Sequence, residues 1–283
     1  MTGLLPAVAT AVFVWWFSTG LVLILVRLSR RAIRLSVALA TGVGVAALYG
    51  LSHTARQTGL AGAYCAFTCA LLAWAWHELT FLSGWITGPR RTALPAGLSG
   101  WPRFVQSLRA ILWHEIGILV VGLIIVAITW RQPNQVGTGT FLVLWVMRTS
   151  AKLNLFLGVR NLSEQFLPEH LAYLQSFFRR RRMNGFFPVA LSLSMLALVA
   201  LVMVALQPTT PAATSVGHAL VATMLALAIV EHALLVLPVD TAALWRWALR
   251  FSGGASDAAP SPNRALPGQA DAVRADETLL HAR

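Results

Sequence analysis

The chain has 283 residues, of which 57% are hydrophobic and only 11% charged, and 22 Lys and Arg against 10 Asp and Glu leave a net charge of +12. A soluble domain carries about 25% charged residues, so this chain cannot cover its surface in water and reads as an integral membrane protein. Its positive charge gathers at the ends of apolar runs, the placement of cytoplasmic anchors against anionic lipid, which excludes a nucleic-acid surface.

Crossing a bilayer takes about 20 mostly apolar residues per helix. Seven runs qualify: 4–26, 33–51, 60–86, 108–130, 137–158, 186–206 and 216–239. The fold class is therefore all-α, a polytopic membrane protein of seven transmembrane helices. The first run lacks a positive n-region and is too long for a cleaved leader, so it reads as a retained anchor. The second carries Gly42, Gly44, Ala46 and Ala47, small residues that let helices approach closely in lipid. The third is long enough to tilt or to extend past the bilayer. Its Cys65 and Cys69 have no further Cys to complete a zinc pattern and read as small buried side chains. The fifth is interrupted by Arg148, Lys152 and Asn154.

Between the fifth and sixth spans, residues 159–184 form the largest connection. Pro168 suits a helix start, and Leu167, Leu171, Leu174 and Phe178 recur at three- and four-residue spacing ahead of Arg179, Arg180, Arg181 and Arg182. The pattern predicts an amphipathic helix on the inner leaflet, its arginines docking lipid or a protein partner. Trp85, Trp101, Trp113, Trp130, Trp245 and Trp247 fall near predicted span ends, as an interfacial belt does. Residues 1–251 thus form one membrane domain. From Ser252 onward the composition turns to Gly, Ala, Ser, Pro, Asp and Arg, which predicts a disordered cytoplasmic tail over 252–283.

Charge placement tests the span count. Arg27, Arg30, Arg31 and Arg34 follow the first span; Arg90, Arg91, Arg103 and Arg109 lie between the third and fourth; Arg160 and Arg179 to Arg182 follow the fifth; Arg246 and Arg250 follow the seventh. The intervening loops hold only Arg56 and Arg131. Alternation of this kind predicts a periplasmic N-terminus and a cytoplasmic C-terminus. Losing the fifth span would put Arg179–Arg182 outside.

Three pairs stand out inside the spans: His77-Glu78, His114-Glu115 and Glu231-His232. Ionisable groups within transmembrane helices usually face a bundle interior and have a partner or a task. Glu78 lies twelve residues before Arg90, Glu115 six after Arg109 and Glu231 nine before Asp240, which places all three in the cytoplasmic half at about 1.5 Å per residue. Arg148 and Lys152 are four apart and share a helix face at similar depth. Three acids and two bases are therefore expected to close one buried network.

Two readings compete for it. In one, the glutamates neutralise Arg148 and Lys152, each histidine bonds a neighbouring oxygen, and the cluster only fixes the helices. In the other, one or more of His77, His114 and His232 ligates the central metal of a tetrapyrrole, with Glu78, Glu115 and Glu231 orienting them. A proton path is a third. Di-iron bundles use Glu-x-x-His to bring both ligands to one face; no such spacing occurs here, nor any His-x-x-x-His pair.

The stretch WHELTFLSGWITGPRR from Trp76 to Arg91 resembles the third span of the photosynthetic complex assembly family PuhE of purple bacteria. NQVGTGTFLVLWVMRTSAKLNLFLGVRN (Asn134 to Asn161), FLPEHLAYLQSFFRRRRMN (Phe166 to Asn184) and EHALLVLPVDTAALWRWAL (Glu231 to Leu249) extend the likeness over most of the membrane portion. The resemblance implies a multi-pass protein of the bacterial inner, intracytoplasmic photosynthetic membrane. It implies a role in assembling the reaction centre and core light-harvesting complex, with those subunits or pigment-synthesis enzymes as partners. It brings no catalytic residue with it.

Residues and resemblance together lead to one expectation: an assembly factor that holds or delivers bacteriochlorophyll or a precursor. His77, His114 and His232 are the candidate ligands, Arg148 and Lys152 balance charge or meet a pigment carboxylate, and Trp74, Trp76 and Trp145 are candidate stacking partners. The alternatives are an enzyme or enzyme subunit acting on tetrapyrrole intermediates, and a pigment-free scaffold docking through Arg179–Arg182.

Overall fold

The computed structural model describes residues 3–239 and 241–251. Seven long helices, all apolar enough to cross a membrane, follow in order: α1 (Leu4–Leu25), α2 (Arg30–Thr54), α3 (Leu60–Leu82), α4 (Gly100–Thr129), α5 (Val136–Leu157), α6 (Phe186–Leu206) and α7 (Ala212–Leu234). A short α8 (Arg246–Phe251) comes after them. Glu164–Phe166, Glu169–Phe177 and Thr241–Trp245 are 3-10 turns, and no strand occurs among the described residues. The predicted tail, 252–283, lies outside them.

Two boundaries depart from composition. α3 stops at Leu82, short of Ile86, because Gly84 turns to φ +78° and the amides of Trp85 and Ile86 both close on Thr80 O at 3.0 Å. An αL residue of this kind ends a helix and is cheapest as glycine. α4 instead begins at Gly100, well before the apolar run. Arg103, expected in a loop, lies in its first turns with 4% exposure.

Small residues set the packing. The α2–α3 seam joins Ala47 and Leu51 to Ala66, Cys69 and Ala70, and a Cβ on Gly50 would sit 2.6 Å from Cys69 Sγ. α3 and α7 occupy the centre: 56% and 61% of their apolar windows are buried, against 6% for α6, which leaves α6 as the most lipid-facing span. α8 lies along α1, where Trp245 and Trp247 meet Trp15 and Trp16, so Trp245 is buried and does not join the exposed belt of Trp85, Trp101, Trp113 and Trp130.

Asparagines tie the helix ends. At one end Asn134 donates to Thr54 O and Gly62 O at 3.1 and 3.0 Å, joining α2, α3 and the start of α5. At the arginine-rich end, Asn184 donates to Asn154 Oδ1 and Gly158 O, while its own Oδ1 accepts from the amides of Phe186 and Phe187. Asn184 is thus the cap of α6. Asn161 donates to Leu234 O at 2.7 Å and to Leu237 O, closing α7.

The segment before Asn184 differs from the predicted amphipathic α-helix. It is a 3-10 helix that buries Leu171, Leu174 and Phe177, residues three apart, against Phe81 and Ala110 of α3 and α4. Three residues per turn puts those positions on one face and turns Phe178 away. Its apolar face therefore covers protein. Arg103 fastens the end of the segment: its guanidinium donates to Phe156 O (3.0 Å) and Phe177 O (2.6 Å) and lies 3.8 Å over the Phe156 ring.

Candidate functional site

α3, α4 and α5 carry most of the polar set. Adjacent helix positions point about 100° apart, so each His-Glu pair divides between two directions. His77 and His114 turn inward, with 2% and 1% exposure and ring centroids 6.3 Å apart. Glu78 and Glu115 turn toward α5. There Arg148 Nη2 meets Glu78 Oε2 at 2.9 Å and Lys152 Nζ meets Glu115 Oε1 at 2.6 Å, two pairs stacked one turn apart. Lys152 also lies 6.0 Å over the Phe81 ring.

Glu231 of α7 makes no direct ion pair in this cluster, although Arg148 and Glu78 both act on its charge. Glu231 is exposed on the outside of the bundle and accepts a bond from Trp15 Nε1 at 2.9 Å. Of the expected three acids and two bases, Glu78 and Glu115 pair directly with Arg148 and Lys152, while Glu231 joins only through its charge, because the ~100° between neighbours turns it toward Trp15 when His232 faces in. His232 is buried in a separate chain of bonds. Its Nδ1 reaches Ala228 O at 2.9 Å, and a carbonyl only accepts, so Nδ1 carries the proton and Nε2 accepts from Ser150 Oγ at 3.0 Å. Ser150 O in turn accepts from Asn154, which bonds Asn184.

The two remaining histidines are unlike His232. Neither ring nitrogen of His114, and not Nε2 of His77, has a hydrogen-bond partner among the described residues. Buried polar atoms are nearly always paired, and an unpaired one calls for an explanation. Around them pack Phe81 (4.4 Å from the His114 ring), Trp76 (4.8 Å from the His77 ring) and Phe141. Trp76 Nε1 donates to Thr41 of α2, Trp74 stacks edge-on against Phe141, and Trp145 lies against Gly122. The glutamates bond the α5 cations, and the described contacts give them no bond to either histidine.

A loop sets how α4 meets α3. The amide of His114 donates to Thr87 O at 3.0 Å and that of Arg90 to Arg109 O at 3.3 Å, so residues 87–90 lie directly on the α4 backbone. A Cβ on Gly88 would fall 2.1 Å from Arg109 O. Gly88, Arg103, Ser150 and Asn184 are the positioning residues that sequence reasoning missed. Only Asn184 carried a signal, an Asn just before an apolar helix.

No group of three or more His, Cys, Asp or Glu among the described residues is arranged to hold a metal ion. A tetrapyrrole metal needs only one protein donor. Of the three histidines, His77 and His114 have ring nitrogens free of hydrogen bonds, whereas both nitrogens of His232 are engaged. In the basic run, the Arg179 amide donates to Leu155 O, the Arg181 amide to Val159 O, and Arg180 faces Glu164 at 3.6 Å at the surface. The backbone of the run is thereby pinned to the end of α5.

Seven apolar helices that carry two inter-helix ion pairs, one of them reaching the bundle surface at Arg148, and two buried unpartnered histidines define a polytopic membrane protein with a polar site between its helices. The chain belongs to the DUF3623 family, whose model, described as "Protein of unknown function (DUF3623)", matches residues 1–255. It is 39% identical over 244 residues to the "Uncharacterized 30.4 kDa protein in puhA 5'region" of Rhodobacter capsulatus, spanning 85% of this chain and 89% of that relative. No solved structure matches it.

Proposed function

We propose that this protein is a photosynthetic complex assembly factor of the PuhE type, which holds bacteriochlorophyll or a precursor through His77 or His114 for delivery to reaction-centre and core light-harvesting subunits. The observation that carries the reading is the pair of buried histidines whose ring nitrogens lack partners. The relative's name sets it in the 5' region of puhA, in line with the photosynthesis-cluster resemblance of the Trp76–Arg91 and Asn134–Asn161 stretches. The arginine distribution supports a periplasmic N-terminus and a cytoplasmic C-terminus in the bacterial inner, intracytoplasmic membrane.

When bound, the tetrapyrrole would supply a Lewis-acidic metal that a single protein nitrogen can hold. His114 or His77 would hold it through a ring nitrogen, and Phe81, Trp76 and Phe141 would keep water from that nitrogen. Glu78 and Glu115 hold Arg148 and Lys152 neutralised beside the histidines, which keeps uncompensated positive charge away from the metal. His232 serves the architecture, bonding α7 to α5.

The test is the absorption spectrum of protein purified in detergent from a phototrophic host, beside a His77→Ala/His114→Ala variant and a His218→Ala control. A stoichiometric tetrapyrrole band present in wild type and control and absent in the double variant is expected. A colourless wild type would leave the two ion pairs as the cluster's whole purpose, the reading in which it only fixes the helices.

A further inference from the structure

A cleft of about 480 Å³ opens at the arginine-rich end, between the first turn of α2, the loop after α3 and the 3-10 helix Glu169–Phe177. Arg30, Arg34 and Arg91 line it, and no carboxylate does. None of the three side chains has a hydrogen-bond or ion-pair partner among the described residues. Three unneutralised guanidiniums around one cavity repel one another, so an anion placed between them is stabilised.

Two residues of the cleft wall carry buried hydroxyls without a partner. Thr87 is 1% exposed and lines the cleft, and its Oγ1 has no partner; nor has the buried Oη of Tyr173. The positive end of α2, a helix of 25 residues capped by Ser29, adds partial charge of the same sign. The wall is built rigidly: His170 Nε2 donates to Leu82 O at 2.9 Å and packs where Gly84 has no Cβ.

We infer that this cleft is a phosphate-binding site. Three guanidiniums without a carboxylate among them favour a phosphoryl group, whose oxygens meet the planar guanidinium fork bidentately and whose ester links can carry it on a larger body. The volume falls in the range of small-ligand sites, roughly 300–1,000 Å³, so it takes a phosphate carried on a larger body. Trp85, half-exposed on the rim, sets the cleft at the membrane interface, where that body is a lipid headgroup or a soluble phosphate ester.

The test uses the full-length protein in two arms. In detergent, native mass spectrometry counts adducts on titration with phosphatidylglycerol or phosphatidylcholine. In phosphatidylcholine nanodiscs, calorimetry follows inorganic pyrophosphate. Arg30→Gln/Arg34→Gln/Arg91→Gln is expected to weaken binding about a hundredfold, at roughly fivefold per guanidinium. Arg31→Gln/Arg109→Gln/Arg160→Gln removes equal charge outside the cleft and outside the Arg179–Arg182 run and should leave binding unchanged. Adducts in the first arm alone assign a lipid phosphate; heat in the second assigns a soluble one. No binding in either arm, or equal loss in both triple variants, overturns the site.

Discussion

Replacing Lys152 by Met tests the inner ion pair most directly, because the unbranched stem is kept while the charge, and with it the ammonium over Phe81, is removed. Unit charges 2.6 Å apart attract by about 6 kcal/mol at an effective dielectric constant of ~20. Taking each ion from water costs several kcal/mol, so the net contribution of the pair is small. Breaking it is a different matter: Glu115, only 20% exposed, is left without its cation, at a cost of roughly 3–5 kcal/mol. Glu115→Leu should cost about the same. The double variant Lys152→Met/Glu115→Leu removes both charges and should return to within ~1 kcal/mol of wild type. The assay is helix loss by circular dichroism as dodecyl sulfate is titrated into detergent micelles. A double variant as unstable as the two single losses added together would refute the reasoning, since it would mean that the groups act independently.

Asn184→Ala removes the cap of α6 and the bonds to Asn154 and Gly158, and should lower stability by roughly 2–3 kcal/mol in the same titration. Arg103→Lys keeps the charge but loses the two-carbonyl fork and the face contact with Phe156, so proteolysis within residues 164–182 should accelerate severalfold; an unchanged rate would mean that the segment is held elsewhere. Gly88→Ala drives a methyl onto Arg109 O and should cost about 3 kcal/mol by displacing the loop from α4, visible as a lowered melting temperature. Ser150→Ala leaves His232 Nε2 without its donor and should destabilise by about 1–2 kcal/mol while leaving any pigment band in place.

The span count was legible because a bilayer imposes it locally: each helix must satisfy its own backbone and present about 20 apolar residues, and both are properties of a continuous stretch. Arg148 and Lys152 were legible as partners of acids for a similar reason, since an unpaired charge at that depth is too costly to keep. The sequence could not say which acids. Glu231 and Glu115 look alike along the chain, and only the rotation of α7 sends one outward to Trp15 while the packing of α4 brings the other to Lys152.

The segment 159–184 shows where local pattern misleads. Leu171, Leu174 and Phe178 suit an α-helix on lipid, yet 171, 174 and 177 suit a 3-10 turn on protein equally well, and the α3–α4 end decided between them by offering Phe81 and Ala110 as cover. Likewise, that His77 and His114 lie side by side without partners while His232 is fully bonded depends on contacts between residues 37 and 82 positions apart in sequence. Membrane crossing, helix number and the need for buried charge to be paired are one-dimensional consequences of the solvent. Which groups meet is a matter of helix rotation and of close contacts such as Gly88 on α4, and these exist only once the bundle has packed.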